Sequence, residues 1–119
     1  MAIISGKTYT KIVTLGNEIY DISPFDSFGN LVTEMVIEVD TTLGICTLNL
    51  PSIASLNNFW NTKITIVANT GLTNPVGVRA DVLAFDTIGG QANIILGADF
   101  QTIELNVATS NTWYGVATI

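Results

Sequence analysis

Paired carboxylates are the first groups in this chain to test for chemistry, because two of them can hydrolyse a glycosidic bond. Glu34 and Glu38 lie on one face of an alternating apolar and acidic segment. Four residues of extended strand separate them by roughly 13 Å, whereas glycosidases place the two carboxyl groups about 5 to 9.5 Å apart. Glu104 and Asp99 are further candidates, but nothing in the sequence brings either of them close to this pair. The spacing therefore does not predict a glycosidase.

Nucleophilic and metal-assisted catalysis have even less support. The chain has no His and a single Cys, and His is the usual general base and a common metal ligand, so Ser-His-Asp and Cys-His centres and most zinc sites are excluded. Cys46 alternates with Leu48 and Leu50, which indicates a small buried hydrophobe. Gly89-Gly90 lacks the Lys-Ser/Thr of a phosphate-binding loop. We expect no catalytic residue, no cofactor and no enzyme activity.

Two kinds of ligand remain open. Asp81, Asp86 and Asp99 lie near predicted turns, where carboxylates can gather around calcium, but their spacing matches no calcium loop. Asp is also an ordinary turn residue, so we predict no metal site. The aromatic candidates for stacking on a sugar ring or lining an interface are Trp60, Trp113 and Tyr114. Core packing explains such residues equally well.

The charge balance excludes polyanionic partners. Ten carboxylates against four cations give a net charge of −6, and four scattered cations cannot form the basic stripe that nucleic acid or an anionic membrane surface requires. The apolar runs are shorter than the ~20 residues of a membrane helix. No signal peptide is visible in Met1-Ala2-Ile3-Ile4, so we expect a soluble chain made in a cytoplasm.

Strand patterning dominates the sequence. Thr is present sixteen times and Asn eleven times, and β-branched residues alternate with polar ones between Gly, Asn, Asp and Pro turns. The pattern predicts an all-β fold, an antiparallel β-sandwich with a jelly-roll topology favoured and another Greek-key sandwich left open. Residues 31–119 form the predicted sandwich domain. Residues 1–30 form a predicted arm, or a hairpin around Gly16-Asn17, that serves as an attachment segment.

Several strands carry more apolar side chains than one buried face can use. Ile64, Ile66 and Ile95 are candidates for either the core or an interface. Contiguous exposed apolar surface usually marks an interface, so the surplus predicts self-association. The alternative is that these residues lie at strand ends beneath loops.

The second half of the chain has a recognisable order of motifs. A Leu-Pro is followed by an isoleucine-rich strand that ends in Asn-Thr-Gly, then by an Ile-Gly-Gly turn and a final Asn-Thr-Trp-Tyr. These are Leu50-Pro51, Lys63–Gly71, Ile88-Gly89-Gly90 and Asn111–Tyr114. The order resembles the small β-sandwich modules of bacteriophage fibres, spikes and capsid decorations, and it covers about residues 46–116.

The resemblance implies a non-enzymatic virion structural protein: a capsid spike, head fibre or decoration protein, made in the host cytoplasm and located in the virion. It also implies a homotrimer with apolar strands facing the three-fold axis, in contact with other virion proteins. No catalytic residue is carried over. The alternative function is a carbohydrate- or receptor-binding module that recognises a host-surface glycan.

Overall fold

The computed structural model describes residues 4–56 and 62–118, which form ten strands in two sheets. Two short 3-10 helices, Ile53–Leu56 and Val82–Ala84, lie between strands. No helix in the described ranges is long and apolar enough to cross a membrane. The strands are β1 (Ile4–Val13), β2 (Glu18–Asp21), β3 (Leu31–Asp40), β4 (Cys46–Asn49), β5 (Lys63–Ala68), β6 (Val76–Arg79), β7 (Thr87–Ile88), β8 (Asn93–Leu96), β9 (Gln101–Thr109) and β10 (Thr112–Thr118).

The chain winds between the two sheets. Sheet A has six strands in the order β1-β3-β5-β9-β10-β7, and sheet B has four in the order β2-β4-β6-β8. Neighbours β1, β3 and β5 are parallel, and so are β2, β4 and β6. Each of the first three rungs thus consists of one strand in sheet A followed by one in sheet B. This stacking is solenoid-like, and antiparallel β8, β9 and β10 complete the sheets beyond the third rung.

The all-β prediction is confirmed, but the antiparallel jelly roll is wrong for the first six strands. Alternation shows which face of a strand is buried, and it does not show which strand lies alongside. The predicted hairpin at Gly16-Asn17 is also wrong, because β1 and β2 belong to different sheets and the turn carries the chain from one sheet to the other. The division at residue 30 and its attachment role stay predictions.

Parallel rungs place similar apolar residues side by side in the core. In sheet A, Met35 pairs with Ile64 and Ile37 with Ile66. In sheet B, Leu48 pairs with Val78 in the same way. All of these side chains are buried between the sheets. Each such side chain contributes about 1.5–3 kcal/mol through burial, so this layer is a main source of stability.

Threonines occupy the corner where the chain leaves sheet A. Thr14 and Thr41 are fully buried, and each uses its hydroxyl on a backbone carbonyl of the following turn. Thr14 Oγ1 donates to the carbonyl oxygen of Gly44 at 2.8 Å, and Thr41 Oγ1 donates to that of Asn74 at 2.6 Å. Thr70 Oγ1 accepts from the backbone N–H of Thr41 at 2.8 Å. These bonds satisfy buried polar groups where the sheet ladder ends.

Candidate functional site

The aromatic candidates have separate locations. Trp113 is fully buried in the core, and its Nε1 has no hydrogen-bond acceptor among the described residues. Tyr114, the next residue, is 58% exposed on the outer face of β10. Trp60 lies outside the described residues. Trp113 is thus a packing residue, and of the adjacent pair only Tyr114 is free to contact a ligand or another subunit.

The isoleucine candidates divide between core and surface. Ile64 and Ile66 are fully buried on the inner face of sheet A. Ile95 is 64% exposed on the outer face of sheet B, between half-buried Ile94 and buried Leu96. Of the three isoleucine candidates, only Ile95 is therefore positioned to contact another molecule.

The carboxylates on sheet A make cross-strand contacts on an open surface. Glu34 lies 3.7 Å from the Lys7 ammonium, and Glu104 lies 3.3 Å from Lys63. Glu38 accepts hydrogen bonds from the Tyr9 hydroxyl and from the Asn69 side-chain amide. Exposed ion pairs of this kind contribute about 0.2–1 kcal/mol each. These contacts explain the positions of the carboxylates by cross-strand pairing.

The three aspartates near turns each bind backbone N–H groups. Asp81 caps the second 3-10 helix, and Asp99 accepts from the N–H of Leu72 at 3.1 Å. Asp86 is buried and accepts from the N–H of Ile53 at 2.9 Å. Burial, followed by the nearby Asp81 charge, raises the pKa of Asp86. In residues 4–56 and 62–118, no three acidic or sulfur-bearing side chains are grouped as a metal would require.

The first rung leaves an apolar concavity at the end of the molecule, here called the open end. It lies between β1 and β2, whose outer edges pair with no described strand, and its volume is about 670 Å³. Its rim carries both signs of charge, from Lys11, Asp21 and Asp26. Its apolar lining includes Ile12, Ile22, Phe25, Val32, Met35 and Ile37.

The outer face of sheet B, here called the sheet B face, presents two rows of residues in register across four strands. One row is Ile19, Thr47, Gly77 and Ile95, and the other is Asp21, Asn49, Arg79 and Asn93. In the second row, the Asn49 amide donates to Asp21 Oδ1 at 2.8 Å, and Arg79 Nε donates to Asn49 Oδ1 at 3.0 Å.

Sequence reasoning did not identify either row. The rows exist only because β2, β4 and β6 are parallel and in register. The detectable signal was the recurrence of apolar-x-apolar-polar segments one rung apart, Cys46–Asn49 and Val76–Arg79, since periods of this length are typical of solenoids.

A cleft of about 730 Å³ borders the polar row where the strands of sheet B end. Its floor includes Asp21, Asn49 and Arg79, and one wall is formed by Val82 and Leu83 of the second 3-10 helix. Leu83 is 91% exposed. The cleft therefore combines hydrogen-bonding groups of both polarities with an apolar wall.

Neither the models of known protein families nor the curated proteins compared with this chain gave a match.

Proposed function

We propose that this chain is a non-enzymatic virion structural module, a capsid spike, head fibre or decoration protein, that works by associating with copies of itself. The observation that supports the proposal best is the open end. An apolar concavity bounded by two strand edges that pair with no described strand is costly to leave in water, and such edges are templates for unwanted pairing. A subunit interface removes both problems at once.

A further copy of the chain is the occupant that fits the rim. The opening is lined by both Lys11 and Asp26, so copies that meet there can pair unlike charges. The sparse charge of the whole chain, 12% of residues, also leaves much of its surface uncharged. The number three comes from the resemblance to phage modules, and we propose a homotrimer in which three open ends meet.

The test is the mass of the protein in solution by light scattering. Thr10 is exposed and lines the mouth of the open end, so Thr10→Arg places a charge there without entering the core. We expect the wild type to have a mass that is a multiple of three subunits, and Thr10→Arg to lose the three-fold contact. Thr73→Arg, in an exposed turn remote from the opening, is the matched control. Equal masses for all three proteins would contradict the proposal.

A carbohydrate- or receptor-binding module is the second candidate, and the cleft beside sheet B favours it. Binding sites for small ligands combine apolar walls with a few fixed polar groups, and Asn49 holds Asp21 and Arg79 in place on the floor. Saturable binding to a glycan array, lost in Arg79→Ala and kept in Lys63→Ala, would support this function. The absence of binding across the array would remove it.

A further inference from the structure

In both rows of the sheet B face, the residue on one side of β4 differs in charge or size from the residue on the other side. Taking β4 as the centre, β2 lies on one side and β6 on the other. In the polar row, β2 contributes Asp21 and β6 contributes Arg79. In the apolar row, β2 contributes Ile19 and β6 contributes Gly77. Directly beside β4, the β2 position is therefore negative and protruding and the β6 position is positive and flat, with exposed Ile95 one strand further out on β8.

The charges of the polar row are available to an outside partner. Neither Asp21 nor Arg79 has an oppositely charged partner among the described residues, because each is bound only to the neutral amide of Asn49 between them. Arg79 is exposed and Asn49 occupies only its Nε donor, so the terminal nitrogens of the guanidinium remain available to a partner. Arg is suited to binding a carboxylate through such a pair of nitrogens.

In the apolar row, a projecting side chain on the β2 side corresponds to an open space on the β6 side. The Ile19 side chain is 65% exposed, so it stands above the sheet. At Gly77, an added Cβ would meet only the Thr47 side chain, at 3.6 and 3.8 Å, so the space above Gly77 is open. A projecting side chain and an open position lie two strands apart, on opposite sides of β4.

We propose that the sheet B face binds the same face of a second copy around a two-fold axis that runs along β4. This rotation exchanges the β2 and β6 sides. It places Ile19 above Gly77 of the second copy and Asp21 opposite Arg79 of the second copy, and it repeats both contacts in the reverse direction. Packed sheets lie about 10 Å apart with nearly aligned strands, a separation that the Ile19 side chain is long enough to bridge.

A second copy is the occupant because both patterns reverse across the same strand. An interface around a two-fold axis must be complementary to itself, so each feature needs its counterpart at the mirrored position on the same surface. Charge and shape each meet this condition independently on the sheet B face. Thr47 and Asn49 then lie on the axis, where each faces its own counterpart.

The inference rests on the proposed self-association but uses the sheet B face instead of the open end. Of the two rows, only Asp21 also lines the open end, so Arg79→Asp is the charge variant that tests the sheet B contact alone. If both contacts form, the wild type is larger than either a dimer or a trimer. Thr10→Arg is then left as a dimer through sheet B, and a variant that breaks the sheet B contact is left as a trimer. A failure of one contact is therefore distinguishable by mass from a failure of the other.

Gly77→Val is the variant that breaks the sheet B contact. Its Cβ fits within the subunit at ordinary van der Waals distance from Thr47, and Val is favoured in strands. The subunit is expected to keep or gain stability against urea, while the new side chain occupies the space required by Ile19 of the second copy. We expect the mass to fall to that of the trimer. An unchanged mass with an intact fold would overturn the two-fold contact.

Charge exchange provides an independent check. Asp21→Arg or Arg79→Asp places like charges opposite each other in the pair, and we expect each to weaken self-association roughly tenfold or more, about 1.4 kcal/mol. The double variant Asp21→Arg/Arg79→Asp restores opposite charges and is expected to recover most of the affinity. If the double variant associates no better than the single variants, the proposed alignment is wrong.

Crosslinking locates the axis. In a Cys46→Ala background, Thr47→Cys places two thiols on the axis, and we expect a short bifunctional maleimide to link them into a covalent dimer. Thr65→Cys, on the outer face of sheet A, is the matched control and is expected to give little dimer. Equal crosslinking at the two positions would contradict an axis along β4.

Discussion

Asp21 and Arg79 lie two strands apart in one row of sheet B, and the Asn49 side chain between them binds both. Asn49 turns its amide nitrogen to the carboxylate and its amide oxygen to the guanidinium. The orientation of both charged groups is thereby set before any partner arrives. Such pre-organisation lowers the entropy cost of forming an interface or binding a ligand.

Asn49→Ala removes both hydrogen bonds of this ladder. Because Asp21 and Arg79 are exposed and Asn49 is only half-buried, we expect a loss of about 1 kcal/mol or less in the free energy of unfolding, together with weaker self-association. Urea unfolding measures the first effect and light scattering the second. Asn93→Ala is the control, since Asn93 occupies the same row and its side chain makes no hydrogen bond to a described residue. Equal effects of the two substitutions would show that the ladder has no special role.

Gly44 fixes how closely two successive turns of the solenoid can stack. A Cβ on Gly44 would lie 2.2 Å from the backbone carbon and oxygen of Gly16, so Gly44→Ala must push the two turns apart. We expect a loss of about 1–3 kcal/mol in urea unfolding, as for other overpacked sites. Gly97→Ala, with nothing near its added Cβ, is expected to be neutral or slightly stabilising. A neutral Gly44→Ala would show that these turns are not in contact.

Asp86 stabilises the first 3-10 helix region at the cost of burying a carboxylate. Asp86→Ala leaves the buried N–H of Ile53 without its acceptor, and we expect a loss of about 1–3 kcal/mol. Asp86→Asn keeps an acceptor and removes the charge.

The pH dependence separates the two roles of Asp86. Because burial raises the pKa of Asp86, the folded state holds this proton more tightly than the unfolded state, and stability falls as pH rises from the unfolded pKa through the folded pKa. Asp86→Asn should therefore gain stability relative to the wild type between pH 3 and pH 7 in denaturant titrations. A relative loss over that range would contradict the raised pKa.

The Cys46 thiol is expected to be unreactive in the folded protein. Burial, followed by the Glu18 charge, raises the pKa of Cys46 to about 11. At pH 8 we expect modification by a thiol reagent to proceed only at the rate of unfolding, since the thiolate is the reacting form. The folded state keeps the proton above the unfolded pKa, so this group makes stability fall as pH rises from about 9 to about 11. Cys46→Ala is expected to lack that contribution, and rapid modification at pH 8 would contradict the burial.

The inward faces of the strands were predictable, because burial in a sheet follows the two-residue period. Ile37, Ile66 and Ile103 alternate with polar residues in the sequence and are all buried in the structure. The partner of each strand was not predictable from alternation, which is the same for parallel and antiparallel neighbours. The matching segments around Met35 and Ile64 carried the missing signal, but β-branched and aliphatic residues replace one another so freely that no motif repeats.

For the candidate surfaces, the sequence showed the residue types but not their positions in the fold. An apolar surplus at Ile95 was visible in the sequence, and its exposure agrees with that reading. Trp113 has a side chain of the type that stacks on sugar rings, but it is buried in the core. The row of Asp21, Asn49 and Arg79 depends on register between strands far apart in the chain, so no local pattern indicates it.

Self-association is the central claim, and the mass of the wild-type protein across a concentration series tests it most directly. Sedimentation equilibrium should give a species several times the 12.7 kDa of one subunit that persists on dilution to low micromolar concentration. A mass of one subunit at every concentration would contradict the open-end contact and the sheet B contact together.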